Sequence, residues 1–268
     1  MRHISLVDVL PQVFADAYGV KVLKRLRRAH MKLVGMPQAD RQSYTERNGS
    51  NKWKPIKDKL VSALGPKCWY TEVELAGASL VVDHYRPLSV YWWLTYDPEN
   101  YRISCPWANS PVHNSLYGCS GGKGTSFPLL PPALPANGKT RLRIERPVIL
   151  DPCSADDCNL LAFQADGRPI LNPNYAGNPI ARQRVERSKI LLNLDHPDFN
   201  SKREQLCQEI IVNVRTHEAL GHDPTLQARI RSSIQAKLSV SAPFSTAARF
   251  YLQFHRHLDW VQDILDSV

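Results

Sequence analysis

The sequence predicts an α+β protein, with helical regions at both ends and short strands between them. Three observations carry this expectation. Apolar residues recur at three- and four-residue steps near both termini, the mark of amphipathic helices. Short β-branched runs such as "SLVVD" punctuate the middle. "AFQADGRPIL" sets Asp-Gly between two apolar runs, a strong hairpin signal. With 268 residues, 43% of them apolar, the chain is able to bury a real core and is not a disordered one.

The first helix is expected from about Pro11 to Leu33, where Val22, Leu26, Ala29 and Leu33 share a face. Its polar positions are Lys21, Lys24, Arg25, Arg27, Arg28 and Lys32. They form either a solvated face or one that meets phosphates or an acidic partner. "MPQADRQSYTERNGSN" (36–51), interrupted by Pro37 and Gly49, reads as a connector. A second helix should run from about Lys52 to Leu64. Trp53, Ile56, Leu60 and Leu64 form its apolar stripe, Pro55 is tolerable only in its first turn, and Gly65 and Pro66 stop it. "SLVVD" and "NYRISC" (100–105) read as strands, with the aromatics of "YWWLTYDPEN" between them as packing. "FPLLPPALPANGK" (127–139) must be extended, and "RLRIERPVILDP" reads as a strand ending in a turn. From Ala181 onward the segments "ARQRVERSKILLNL", "SKREQLCQEIIVNVRTHEALG", "PTLQARIRSSIQAKL" and "TAARFYLQFHRHLDWVQDIL" are helical. Four regions result: a basic helical one (1–66), a strand-bearing core (67–129), an extended and hairpin segment (130–180) and a helical one (181–268).

Composition removes several classes. No run approaches the roughly 20 apolar residues that span a bilayer. No apolar stretch near Met1 precedes a small-residue cleavage site, so cytoplasm is the expected location. Six cysteines, at 68, 105, 119, 153, 158 and 207, are too sparse for a disulfide framework and include no C-x-x-C pair. A net charge of +9 favours polyanionic partners, because each phosphate neutralised by Lys or Arg releases counterions.

The densest chemistry lies in 67–129. "LVVDHYRPLS" places Asp83 beside His84 at a strand end; Asn100, Asn109 and Lys123 follow in order. A lone Asp-His pair is common, and Asp195 and His196 in "NLDHPDF" form another, read as a loop between helices. The ordered set is what distinguishes the first pair. "KCWYTE", "VVDHYRP", "YWWLTYDPENYRISCPWAN" and "GKGTSFPL" together resemble the HNH (ββα-metal) nuclease core. More narrowly they resemble the bacterial anti-phage defence nucleases found with retrons and the Septu system, encoded beside an ABC/SMC-like ATPase. "ERPVILDPCSADD" and "FQADGRPI" resemble the region after that core.

The resemblance implies an HNH core embedded between N-terminal helices and a mainly helical C-terminal region, acting as a phosphodiesterase on DNA or structured RNA. It implies His84 as general base, Asp83 and Asn109 as ligands of one Mg²⁺ or Mn²⁺, and Lys123 on the phosphate or the transition-state charge. Asn100 would brace the loop or orient His84. It also implies the ATPase as partner. Arg86, with Lys24, Arg25 and Arg28, is the candidate contact to nucleic acid, and a surface salt bridge is the alternative for Arg86. Regular strand geometry would send Asp83 and His84 to opposite sides, unless a bend near Pro87 lets both reach one site.

Two departures matter. Thr71 and Ala108 stand where a zinc-binding core would have the second cysteine of each knuckle, leaving Cys68 and Cys105 unable to complete a tetrahedral site. A zinc-free core is expected, with these thiols packed as small apolar groups; Cys119 and His113, in the loop after Asn109, are the alternative by which the site could be completed. The stretch "SPVHNSLYGCSG" looks like an insertion, and His113 or Asn114 is an alternative to Asn109. Two other functions compete with the nuclease: a binding module that keeps the fold without cutting, and a DNA-binding regulator. The latter needs a recognition helix, for which 21–32 is the only candidate.

Overall fold

The computed structural model describes residues 1–219 and 223–267. Leu220 and Gly221, the end of the helix expected at 201–221, and Val268, the last residue of the C-terminal region, lie outside the described residues.

Two helices form where one is expected. α1 (Leu6–Val13) and α2 (Ala17–Val34) are separate because Asp16 leaves the helical path. Its carboxylate accepts the Gly19 N–H at 2.6 Å and caps α2. The expected connector is also helical: α3 (Gln38–Asn48) and α4 (Ser50–Leu64) follow with only Gly49 between them. α3 buries no residue, so it has no apolar stripe to announce it. Local pairs hold it instead, Gln42 to Glu46 and Arg47 to Ser43, together with Arg41 stacked 3.7 Å from the Trp92 ring. Pro55 falls in the second turn of α4, not the first. Ile56 and Leu60 of α4 pack with Leu26 and Leu33 of α2, all fully or nearly fully buried. α4 therefore joins the N-terminal helices on one side to the first strand pair on the other.

The strands make three separate antiparallel pairs, not one sheet. β1 (Val81–His84) pairs with β2 (Tyr101–Ser104), setting Asp83 opposite Arg102 and His84 opposite Tyr101. β2 runs into α5 (Pro106–Asn109), a single turn opened by Pro106. The stretch that looked inserted folds as a hairpin of β3 (Val112–Asn114) and β4 (Cys119–Gly121). The strand expected from Arg141 does not form. Lys139–Ile144 is a tight 3₁₀ stretch, and only an isolated bridge links Leu129 to Pro147, a residue with no N–H to extend a ladder. After α6 (Ala155–Asn159) the predicted hairpin appears, β5 (Leu161–Phe163) against β6 (Pro169–Leu171). The remaining helices are α7 (Pro179–Leu191), α8 (Pro197–Ala219), α9 (Pro224–Leu238), α10 (Ser245–Gln253) and α11 (Asp259–Asp266). The last two replace one expected helix, because Leu258 is extended and restarts the chain at Asp259.

Most buried apolar side chains, from Met1 to Leu265, form one cluster, and Tyr91, Leu94 and Ala136 form a second, smaller one. Glu72 ties the C-terminal helices to the middle of the chain. Its buried carboxylate receives Lys67 Nζ at 3.4 Å, Ser245 Oγ at 3.0 Å and the Thr246 N–H at 3.3 Å. Its backbone carbonyl accepts the Phe244 N–H. Among the described residues no helix is long and apolar enough to cross a membrane.

Candidate active site

β1 stays regular to its end, so the side chains of Asp83 and His84 leave on opposite faces. On one face the Asp83 carboxylate is fully engaged. Oδ1 accepts from Lys123 Nζ at 2.9 Å and Oδ2 from the Tyr70 hydroxyl at 2.7 Å. Burial and the Asp83 charge push the Tyr70 phenol well above its usual range, so it remains a donor. Lys123 also donates to the backbone carbonyl of His84 at 2.8 Å, which fastens it to the strand itself. Both charges are buried, with Asp83 5% and Lys123 1% exposed.

Lys123 reaches this position through a loop that only glycine permits. Gly122 has φ +103°, and a Cβ there would lie 2.0 Å from the Ser110 carbonyl oxygen. The Lys123 N–H bonds to Ala108 O at 2.8 Å and the Gly124 N–H to Asn109 O at 3.0 Å, so α5 carries the loop.

On the other face the His84 imidazole lies between rings. Trp53 of α4 meets it edge-on at 4.7 Å and Tyr101 of β2 at 5.0 Å. Its Nε2 is 3.0 Å from the Thr95 carbonyl oxygen, which also accepts from the Tyr101 hydroxyl. A carbonyl only accepts, so Nε2 carries the proton and Nδ1 keeps a lone pair. Burial lowers the pKa of His84 to about 4, outweighing the Thr95 hydrogen bond and the Asp83 charge. The ring is therefore neutral at physiological pH, a proton acceptor at Nδ1.

Asn100 closes the β1–β2 connection. Its Oδ1 accepts the Arg86 N–H at 2.9 Å, its Nδ2 donates to Arg86 O at 3.0 Å, and its backbone carbonyl accepts the Tyr85 N–H. These bonds brace the chain directly after His84. Arg86 is not a free cation. Its Nε bonds to Glu145 at 2.7 Å and its guanidinium lies over Tyr85 and Phe127, so the salt bridge is what forms. Lys123, buried as the counter-ion of Asp83, likewise presents no free ammonium to a phosphate in this conformation. Lys24 and Arg28 are exposed on α2, whereas Arg25 is half-buried with an unpartnered Nε.

Asn109 stands half-buried at the end of α5, beside the Lys123 loop. The alternatives to it lie elsewhere: Asn114 is bonded to Asn193 and the Leu116 N–H, and His113 is exposed on β3. At the knuckle, Thr71 Oγ1 lies 3.7 Å from Cys105 Sγ. Hydrogen bonding to Cys68 and burial push the Cys105 thiol up. Asp195 of the second Asp-His pair is buried between α7 and α8 and hydrogen-bonded to the Tyr117 hydroxyl, a role in packing the β3–β4 hairpin.

Asp83 Oδ1 and the His84 carbonyl hold one positive charge between them, the Lys123 ammonium. Carboxylate and carbonyl oxygens are hard donors of the kind Mg²⁺ and Mn²⁺ take, so the donor chemistry at this seat fits such an ion once the ammonium leaves it. Among the described residues no three His, Cys, Asp or Glu side chains cluster as a metal site. Sequence reasoning missed Tyr70, Trp53 and Thr95. Tyr70 stood in "KCWYTE" with no mark of its link to Asp83, and Trp53 was one position of an ordinary apolar stripe. Thr95 acts through its carbonyl, which no side-chain pattern reveals.

An unfolded histidine titrates near 6.5, and His84 in the fold near 4. Between those values the unfolded chain binds a proton that the folded chain does not. The stability contributed by neutral His84 is thus complete above about pH 6.5 and is lost as pH falls towards 4. Urea denaturation at pH 7 and pH 4.5 should show wild type losing roughly 2 kcal/mol more than His84→Gln; equal losses would show that His84 is not held neutral.

Compared with known protein families and with curated proteins, the chain matches no family model and no curated protein.

Proposed function

We propose that the protein is an HNH-type, metal-dependent endonuclease that hydrolyses nucleic-acid phosphodiester bonds. The observation that carries the reading is the tautomer of His84: a neutral imidazole, its Nε2–H on the Thr95 carbonyl, with Nδ1 left as a base. The local order supports it as well: a β-hairpin bearing Asp83 and His84, a braced Asn100, and a short helix ending at Asn109.

The regular strand sends Asp83 and His84 to opposite faces, so this reading requires the end of β1 to bend when substrate binds; His84 Nδ1 then takes a proton from water as its oxygen bonds to phosphorus. The bond from phosphorus to the leaving sugar oxygen breaks, and that oxygen is protonated by solvent. Asp83 and Asn109 would hold one Mg²⁺ or Mn²⁺, which supplies positive charge at the phosphate when bound. Lys123, released from Asp83, neutralises a non-bridging oxygen. Asn100 keeps the segment after His84 rigid through Arg86. Trp53 excludes water from the imidazole until substrate moves it aside.

A second reading has its own observation. His84 is only 9% exposed and Lys123 occupies the Asp83 seat, the state expected of a binding module that does not cut. The nuclease reading predicts nicking of plasmid DNA, or cleavage of tRNA, with Mg²⁺ or Mn²⁺, reduced roughly 10²–10⁴-fold in His84→Ala. Cutting that survives the substitution would place the active site elsewhere. Cutting of neither substrate, by the protein alone or with a co-purifying ATPase, would favour the inert module. A role in anti-phage defence beside an ABC/SMC-like ATPase rests on sequence resemblance. Co-expression with such an ATPase should give one shared gel-filtration peak, and two separate peaks would remove that partner.

A further inference from the structure

A groove of about 490 Å³ runs between α2 and the turn at residues 96–98, with Lys139 on its rim. Arg27 and His30 line it from the helix; Tyr96 and Asp97 line it from the turn. α2 carries Lys21, Lys24, Arg25, Arg27, Arg28 and Lys32 and no acidic residue. After Lys139 the chain carries Arg141, Arg143 and Arg146, all exposed and without an acidic partner among the described residues, though none of the three lines the groove. The acid of that segment, Glu145, is taken by Arg86, the Tyr91 hydroxyl and the Ala136 N–H. Asp97 opposes an anion in the groove, but it is paired with Lys139. The groove is therefore largely apolar, with Arg27 and His30 on one side and the Lys139–Asp97 pair on the other.

The groove also adjoins the candidate site. Tyr96 directly follows Thr95, whose carbonyl holds His84. The Tyr96 ring lies 6.2 Å from Trp53, which in turn covers His84 at 4.7 Å. The Tyr96 hydroxyl is buried with no hydrogen-bond partner, an unused polar group in the groove wall. Met31, 70% exposed, gives the facing α2 wall an apolar surface for a sugar or base.

We propose that this groove binds the phosphodiester backbone of the strand to be cut, with Arg27 as a phosphate contact and Lys139 as a second once it exchanges Asp97 for the phosphate. The assignment rests on the nuclease reading, and it moves the nucleic-acid contact away from Arg86 to residues on both walls of the groove. Charge chooses the occupant: α2 carries six basic residues and no acidic one, its exposed Arg27 brings that charge into the groove where a phosphate matches it, and each contact adds to the salt dependence of binding.

The test uses the full-length His84→Ala protein and fluorescence anisotropy with labelled DNA and RNA oligonucleotides over a salt series. Adding Arg27→Glu and Lys139→Glu should weaken binding at least about tenfold and lower the salt slope by roughly 1.4–1.8 in the arm that is the ligand. A control pair, Lys202→Glu and Arg229→Glu on α8 and α9, makes the same change in net charge and should cost less than about threefold. Arg27→Gln with Lys139→Gln, checked for an unchanged thermal midpoint, reads the contacts without reversing charge. Equal losses in groove and control variants, no loss in the groove variants, or no oligonucleotide binding by the parent would overturn the groove assignment. Groove-dependent binding by a wild-type protein that never cuts would leave the groove standing and remove the nuclease reading.

Discussion

A lysine ammonium and an aspartate carboxylate are tolerated inside a protein only when they meet, and Lys123 and Asp83 meet at 2.9 Å in a place almost closed to water. Leaving either alone there would cost about 3–5 kcal/mol. The pair therefore dictates much around it. Lys123 must be delivered by a sharp loop, which Gly122 makes possible and α5 anchors. Tyr70 must stay protonated to satisfy the second carboxylate oxygen. The His84 carbonyl, taking a second contact from the same ammonium, fixes the end of β1. The imidazole on the opposite face inherits its position from that fixed strand end.

The two faces of β1 thus divide the work. One concentrates charge and holds a cation seat made of hard oxygen donors. The other is a dry box of Trp53, Tyr101 and the Thr95 carbonyl that keeps His84 neutral and in one tautomer. Such a box creates a base, but it also hides it. In the proposed nuclease, Trp53 would have to yield and Lys123 to exchange its carboxylate for the substrate. Binding energy from a strand in the adjoining groove would then drive that rearrangement, since Tyr96 forms both the groove wall and part of the aromatic layer over His84.

Much of this was legible in the sequence, for identifiable reasons. β1, β2 and the β5–β6 hairpin followed from β-branched runs and an Asp-Gly turn, because local chemistry decides them. Of the ordered set of Asp83, His84, Asn100 and Lys123, the structure brings three together, Lys123 bonding to the Asp83 carboxylate and to the His84 carbonyl on a shared strand. What could not be read depends on contacts distant in sequence. α3 has no buried face, so its helix left no periodic signal. The strand expected from Arg141 is lost to a 3₁₀ stretch and to Pro147. For Arg86 a salt bridge was one of two readings and for Lys123 a phosphate contact was expected; the partners that claim them, Glu145 and Asp83, lie 59 and 40 residues away, beyond the reach of local pattern. The split between α1 and α2 turned on one capping carboxylate, at Asp16.

The central claim is that His84 is a neutral base with its proton on Nε2. Long-range ¹H–¹⁵N NMR correlation of the imidazole at pH 7, with His84→Gln used to assign the signals, tests it most directly. The account predicts a protonated Nε2 and an unprotonated Nδ1, persisting as pH is lowered through 6. An imidazolium at pH 7, or a proton on Nδ1, would contradict it.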